Sequence, residues 1–194
     1  MGADGLPARV NTGFGQVLDA LVLQRAKQGD SAAMEAIYRL YSRPCYNLAL
    51  RILGEAAAAE DVVQDVFLRM MDTIKGFRGD APFGAWLKRM TANATIDVVR
   101  RNSRMDSEDA EERIANTESG QAPAESGVDA WSLLMQLGPR ARAIVLLHEM
   151  EGYTHKELSG LFGQSESYSK SVLARALKRL GMLADDGSGR IEVV

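Results

Sequence analysis

Between Met105 and Asp129 the chain carries eight carboxylates, Asp106, Glu108, Asp109, Glu111, Glu112, Glu118, Glu125 and Asp129, against Arg113 alone, a net charge of −7. Glycine, serine, proline and alanine fill the gaps, and large apolar side chains are scarce. Such a segment cannot bury enough surface to offset the entropy of ordering it, so residues 105–128 read as a flexible acidic linker. That break constrains everything else. The chain must fold as two separate bodies, one over residues 17–104 and one over 129–182, with tails at 1–16 and 183–194.

Both bodies are helical by pattern. Residues 1–16 are rich in glycine and small residues and show no periodicity, which predicts a mobile tail. From Val17 the spacing of Leu18, Leu21, Val22 and Arg25 is helical up to Gly29, a plausible stop. Asp30 or Ser31 can cap the next helix, in which Met34, Ile37, Tyr38 and Tyr41 recur every three or four residues. Pro44 interrupts that pattern and predicts a fresh turn, after which Leu48, Ile52 and Leu53 lead to Gly54. Residues 56–74 form one long amphipathic segment with Val62, Val63, Val66, Phe67, Met70, Met71 and Ile74 on its buried side. After the loop 76–81, Pro82 falls where a first helical residue belongs. Phe83, Trp86, Leu87, Met90, Ala94 and Val98 then repeat at helical spacing to about Arg101. No segment alternates as a strand would. The fold class predicted is all-α: two small helical domains joined by an acidic linker.

The second body starts with Trp131, Leu134, Met135 and Leu137 and centres on a helix-turn-helix pattern over 137–180. Gly163 follows Leu158, Leu161 and Phe162, where a helix end needs a residue that tolerates a left-handed backbone. Ser165 then stands at an N-cap position. Beyond it Leu173, Ala176, Leu177 and Leu180 make a narrow apolar stripe, while Lys170, Arg175, Lys178 and Arg179 lie mostly elsewhere. With Glu166 as its single acid, segment 165–180 has a net charge of +3. A cationic helix after a short glycine turn suits a major groove lined by phosphates.

A second basic concentration lies at 86–104, where Lys88, Arg89, Arg100, Arg101 and Arg104 outnumber Asp97 for a net of +4. Thr91, Asn93 and Thr95 are interleaved with these cations. Rings, amides and positive charge together are what opened nucleic acid needs. The helical spacing of Phe83 and Trp86 makes those two rings core, which leaves the exposed loop residues as the better base contacts.

Catalysis finds no support in the residues. His148 and His155 have no metal-ligating spacing, and no phosphate-cradling glycine loop or nucleophile–base set is present. Asp61 and Asp65, paired at i, i+4, suit a solvated or partner-binding helix face better than acid–base work. Cys45, the only cysteine, sits among Tyr41, Tyr46 and Leu48 and reads as a buried structural thiol in a reducing compartment. No apolar run reaches the roughly 20 residues of a membrane span, and no secretory signal is evident. These features predict a soluble, cytoplasmic, non-enzymatic protein with no cofactor, metal or small-molecule substrate.

In order and spacing, AMEAIYRLY (33–41), AEDVVQDVFLRM (59–70), FRGDAPFGAWLKRMTANATIDVVRR (77–101), LGPRARAIVLLHEMEGYTHKELSGLFGQS (137–165) and KSVLARALKRL (170–180) resemble the extracytoplasmic-function (ECF) group of bacterial RNA polymerase sigma factors. That group keeps conserved regions two and four. The resemblance covers about residues 18–182.

It implies that Asp61, Gln64, Asp65, Leu68 and Arg69 bind the clamp coiled coil of the polymerase β′ subunit. Phe77, Arg78, Asp80, Ala81, Lys88, Asn93, Arg100 and Arg101 would meet the −10 element, the loop capturing an extruded base. Unstacking a base costs a few kcal/mol, so a preformed pocket can help melt the promoter. Ser165, Glu166, Ser167, Tyr168, Lys170, Ser171, Arg175 and Arg179 would read the −35 element. The partners implied are core RNA polymerase, through its β′ clamp and β flap, promoter DNA and an anti-sigma factor. The acidic linker would run through the polymerase channels, its charge mimicking nucleic acid.

The run Tyr168-Ser169-Lys170-Ser171-Val172-Leu173 departs from the family pattern of a small residue, an aliphatic, Lys, Ser, Arg and Leu. Ser169 stands at a core aliphatic position and Val172 at a basic one. The expectation is that Val172 takes over packing through a small rotation of the helix, altering the −35 preference and slightly weakening DNA affinity. Two alternatives fit the same residues: a sigma-like protein that does not transcribe but sequesters an anti-sigma factor, and a helix-turn-helix repressor with a ligand-sensing domain. The retained cations weigh against the first, and the long acidic linker against the second.

Overall fold

The computed structural model describes residues 13–105 and 130–188. Residues 106–129, which hold all of the predicted linker except the helical Met105, the tail residues 1–12 and residues 189–194 lie outside the described residues. Among those described there are eight α-helices and no strand: α1 Ala20–Lys27, α2 Ser31–Leu53, α3 Ala56–Thr73, α4 Phe83–Met105, α5 Ala130–Met135, α6 Pro139–Val145, α7 His155–Phe162 and α8 Glu166–Ser188. The described residues belong to two compact units. One takes in residues up to 49 and 56–94, the other 50–55 and residues from 95 onward.

In the first unit, Asp19 caps α1 by accepting from the Leu21 and Val22 amides at 2.7 and 3.2 Å. Gly29 turns the chain with φ +87°, and Asp30 caps α2 through the Ala33 amide at 2.9 Å. α2 does not restart at Pro44 as the sequence predicts. It runs unbroken through the proline, and the reason comes from another part of the chain. A proline has no N–H for the carbonyl four residues back, which here is Leu40. That carbonyl accepts instead from the Gln16 side chain at 3.0 Å.

Residues 13–16, aperiodic in sequence, are held in place by the same group of contacts. Gly13–Gly15 form a 3₁₀ turn. Gln16 Nε2 also donates to the Gly13 carbonyl at 3.0 Å, and the buried Tyr41 hydroxyl donates to the Gln16 carbonyl at 2.7 Å.

The core of this unit is Ile37, Tyr41 and Cys45 of α2, the Val62, Val63, Val66, Phe67 and Met70 face of α3, and Phe83 and Leu87 of α4. Met71, expected on the buried side of α3, is 50% exposed. α4 begins at Phe83, one residue later than the sequence suggests, with the Pro82 carbonyl accepting from Ala85 and Trp86. Burial pushes the Cys45 thiol up to about 12, so it stays protonated, with the Thr91 hydroxyl 3.3 Å from its sulfur. That environment is structural and unsuited to a nucleophile.

In the second unit, Pro139 is the first residue of α6, which widens into a π-helical turn over Leu146–Met150. Arg142 is buried, and its guanidinium donates to the carbonyls of Ile52 and Leu53, at the end of α2, at 2.8 and 3.0 Å. A buried guanidinium with two carbonyl acceptors has the partners its desolvation demands. α7 opens on a capping box: Thr154 Oγ1 accepts from the Glu157 amide at 3.2 Å, and Glu157 accepts the Thr154 amide at 2.9 Å. The Thr-x-x-Glu spacing that signals it was present in the sequence. α8 continues to Ser188, beyond the boundary at 182 read from the sequence.

Candidate nucleic-acid and partner interfaces

The turn between α7 and α8 is the arrangement expected from the residues. Gly163 is left-handed at φ 64° and ψ 31°, and its N–H returns to the Ser159 carbonyl. Ser165 accepts the Tyr168 amide at 3.1 Å, capping α8. The buried stripe of α8 consists of Ser169, Val172, Leu173 and Ala176, spaced i, i+3, i+4, i+7. Leu177, expected in that stripe, is 44% exposed.

Helical geometry places Ser167, Lys170, Ser171 and Arg175 on the opposite side, within about 140° of arc. All four are exposed, as are Ser165 and Glu166 at the start of the helix. Lys178, left out of the predicted site, is exposed on this same arc; its spacing of eight from Lys170 was the available signal. Tyr168 and Arg179 lie at the margin and are half-buried, and the Tyr168 hydroxyl is 3.3 Å from Arg140 of α6.

Ser169 differs from expectation. It does not yield its place to Val172: both are buried, Ser169 at 2% exposure and Val172 at 8%. The hydroxyl is accommodated by hydrogen bonds to His155 Nδ1 at 2.9 Å and to the Glu166 carbonyl at 3.0 Å.

In the first unit, Asp61, Gln64, Asp65, Leu68 and Arg69 are all exposed. Their spacing confines them to an arc of about 140° on α3. Leu68, 61% exposed, lies on this arc between Gln64 and Asp61, an apolar side chain in an otherwise polar face. Such a face suits a partner that covers apolar surface and pairs charges at its rim.

The loop before α4 divides into an exposed part and a buried part. Arg78, Asp80 and Ala81 are exposed, with Arg78 Nε 3.1 Å from Asp80 and Gly79 at φ +84°. Phe77, predicted to meet DNA, is only 8% exposed. Its ring packs 5.4 Å from Phe83 and 5.2 Å from Trp86, with Lys27 Nζ 5.5 Å from its centroid. Lys27 also donates to the Phe77 carbonyl. The ring is therefore the floor under the loop and cannot stack on a base. Sequence reasoning assigned Phe83 and Trp86 to the core but missed that Phe77 completes their cluster.

Along α4, Asn93 and Arg101 are exposed, and Arg100 lies 3.9 Å from Asp97. Lys88 is half-buried, on a different face from Asn93. Arg89, absent from the predicted site, is exposed and shares the Asn93 face through its i, i+4 spacing.

The Sigma-70 region 2 family matches residues 37–105, and the Sigma-70 region 4 family matches residues 128–180. The ECF RNA polymerase sigma factor SigM of Mycobacterium tuberculosis is 30% identical over 165 residues, covering 85% of this chain and 84% of that protein. SigE of Mycolicibacterium smegmatis is 30% identical over 162 residues; the match covers 78% of this chain and 63% of SigE. Among solved structures, the sigma factor RpoE in complex with the anti-sigma factor NepR from Bartonella quintana aligns with a TM-score of 0.51 at 20% identity, over 78% of this chain and 96% of that one. CnrH in complex with the cytosolic domain of CnrY aligns at 0.50 and 23% identity, over 86% and 96%. At these identities the structural likeness is one of fold. The two Sigma-70 regions in order, and the extent of the SigM match, make the chain a member of the extracytoplasmic-function sigma factors of bacterial RNA polymerase.

Proposed function

We propose that this sigma factor binds core RNA polymerase and confers promoter specificity by reading a −35 element with α8 and a −10 element with the loop before α4. The observation that carries the reading is the outward arc of α8. Lys170, Arg175 and Lys178 are exposed there beside Ser167 and Ser171, directly after a left-handed glycine turn. Cations on such an arc neutralise phosphates, and short hydroxyl side chains can approach base edges. Ser165, Glu166, Tyr168 and Arg179 flank the contact.

Asp61, Gln64, Asp65, Leu68 and Arg69 form the surface for the β′ clamp, while the second unit meets the β flap. Arg78, Asp80 and Ala81 meet the extruded −10 base above the buried Phe77. Asn93, Arg100 and Arg101, joined by Arg89, hold the nearby strand, with Lys88 in a supporting position. The protein acts in the cytoplasm and is not an enzyme. No helix among the described residues is long and apolar enough to cross a membrane. An anti-sigma factor is the regulatory partner, a proposal supported by the complex described for the Bartonella RpoE protein.

The deciding experiment is co-elution of the purified chain with core polymerase, followed by transcription from a genomic template pool. Start sites that share −35 and −10 elements support the reading. Stable binding without transcription implicates the altered recognition helix, and absence of binding overturns the proposal in favour of the sequestering role.

A further inference from the structure

Among the described residues of α8, Ser169 is the only buried polar side chain, and the structure gives it a dedicated partner. Its single hydroxyl proton is directed at the Glu166 carbonyl, 3.0 Å away. The contact to His155 Nδ1 at 2.9 Å is therefore one in which the ring N–H donates to the serine oxygen. His155 is the first residue of α7, so this bond ties the start of one helix to the inner face of the next.

The donor ring is itself held. The His148 imidazole, from the π-helical turn, stacks on it with centroids 4.4 Å apart and planes 28° from parallel. His148 in turn is 3.0 Å from the Glu149 carboxylate. A line of side chains, Glu149, His148, His155 and Ser169, thus runs from the π turn to the inner face of α8.

An apolar residue at 169 would bury surface equally well, but hydrophobic contact has no preferred direction. A helix seated by Val172, Leu173 and Ala176 alone can roll slightly at little cost. A hydrogen bond of defined length and angle opposes that roll, and breaking it leaves a buried polar group unpaired. Ser169 adjoins Tyr168 and Lys170 in sequence, so its orientation sets the direction of the exposed arc.

We infer that the His155–Ser169 hydrogen bond is a positioning pair that sets the roll of α8 on α7, and so determines which bases Ser167, Lys170, Ser171 and Arg175 meet. The inference rests on the reading of α8 as the −35 recognition helix. Neither member of the pair touches DNA; each acts through the exposed residues of the helix.

The test uses the full chain with core polymerase on a promoter library randomised at −35 and constant at −10. Ser169→Ala removes the acceptor. His155→Phe removes the donor but keeps a ring against His148. His155→Asn keeps an N–H close to the place of Nδ1. The first two variants are expected to lower the preference for the favoured −35 sequence about tenfold, the worth of one well-formed base contact. Combining them is expected to add little, because both remove the same bond.

His155→Asn is expected to retain the wild-type preference. Should Ser169→Ala fail to fold, His155→Phe carries the same comparison. An unchanged −35 preference in the variants, whatever happens to their melting temperatures, overturns the positioning role and leaves the reading of α8 intact. A wild-type chain that binds polymerase but shows no −35 preference overturns the reading itself, and the pair's role with it.

Discussion

An imidazole stacked on a second imidazole and aimed at a buried hydroxyl resists a proton. His155 is held below the ordinary histidine value of 6.5, first by desolvation and then by His148 and Lys170, with Glu166 and Glu149 opposing. The unfolded chain therefore takes up a proton at this position before the folded one does. The contribution of His155 to stability is constant above pH 6.5 and declines as pH falls from there through the lowered folded value. Thermal melting at pH 7.5 and 5.5 should show a loss on acidification that is smaller in His155→Asn. Parallel losses in the two proteins would remove His155 as its source. Gly84 provides a second test at this scale. A Cβ there would overlap the Phe14 carbonyl and crowd the Tyr41 ring. Because the obstacle is backbone, Gly84→Ala should cost roughly 1–3 kcal/mol, measured by urea unfolding. A variant of wild-type stability would show that residues 13–16 yield without cost.

The elements were legible in the sequence wherever their signals were local, and they were misread where the deciding partner was distant. Gly163 and Ser165 each act on the next few amides, so the turn before α8 could be read directly. Pro44 looked like a helix break because the group that repairs α2, Gln16, lies 28 residues earlier in an aperiodic stretch. Ser169 looked like a packing defect because its partner, His155, belongs to the preceding helix. Phe77 looked like loop because the rings that bury it come from α4. Gln16→Ala should thus act on α2 at a distance, leaving the Leu40 carbonyl without its donor at a cost of about 1–3 kcal/mol. Hydrogen exchange of the α2 amides around Pro44 should quicken in that variant, and unchanged exchange would show that the helix tolerates the orphaned carbonyl. For α8 the corresponding prediction concerns charge. Lys170→Ala should weaken promoter binding across sequences and reduce the salt slope by about one; an unaltered slope would take Lys170 out of the interface.

At the level of the whole molecule, the net charge of −3 conceals a division in which carboxylates crowd residues 106–129 and cations crowd 86–104 and 165–180. The acidic segment and the basic helices could be read from composition alone, because charge runs need no tertiary partner to be recognised. Which cations share a face needs helical spacing as well: Arg89 is four residues from Asn93 and Lys178 eight from Lys170, and burial shows that both are exposed. On α3 the exposed arc includes two carboxylates four residues apart, Asp61 and Asp65, together with Leu68 and Arg69. If this arc meets the clamp, its contribution is partly electrostatic, from Asp61 and Asp65, and partly apolar, from Leu68, and the two parts are separable. Reversing both carboxylates to lysine should abolish co-elution with core polymerase. Folding should change by no more than about 0.5 kcal/mol per exposed site. Leu68→Ala should weaken binding with less dependence on salt than the charge reversal shows. A doubly reversed chain that still binds would dismiss the clamp assignment. If neither substitution moves the affinity while the fold persists, the polymerase contact lies on another face of the chain.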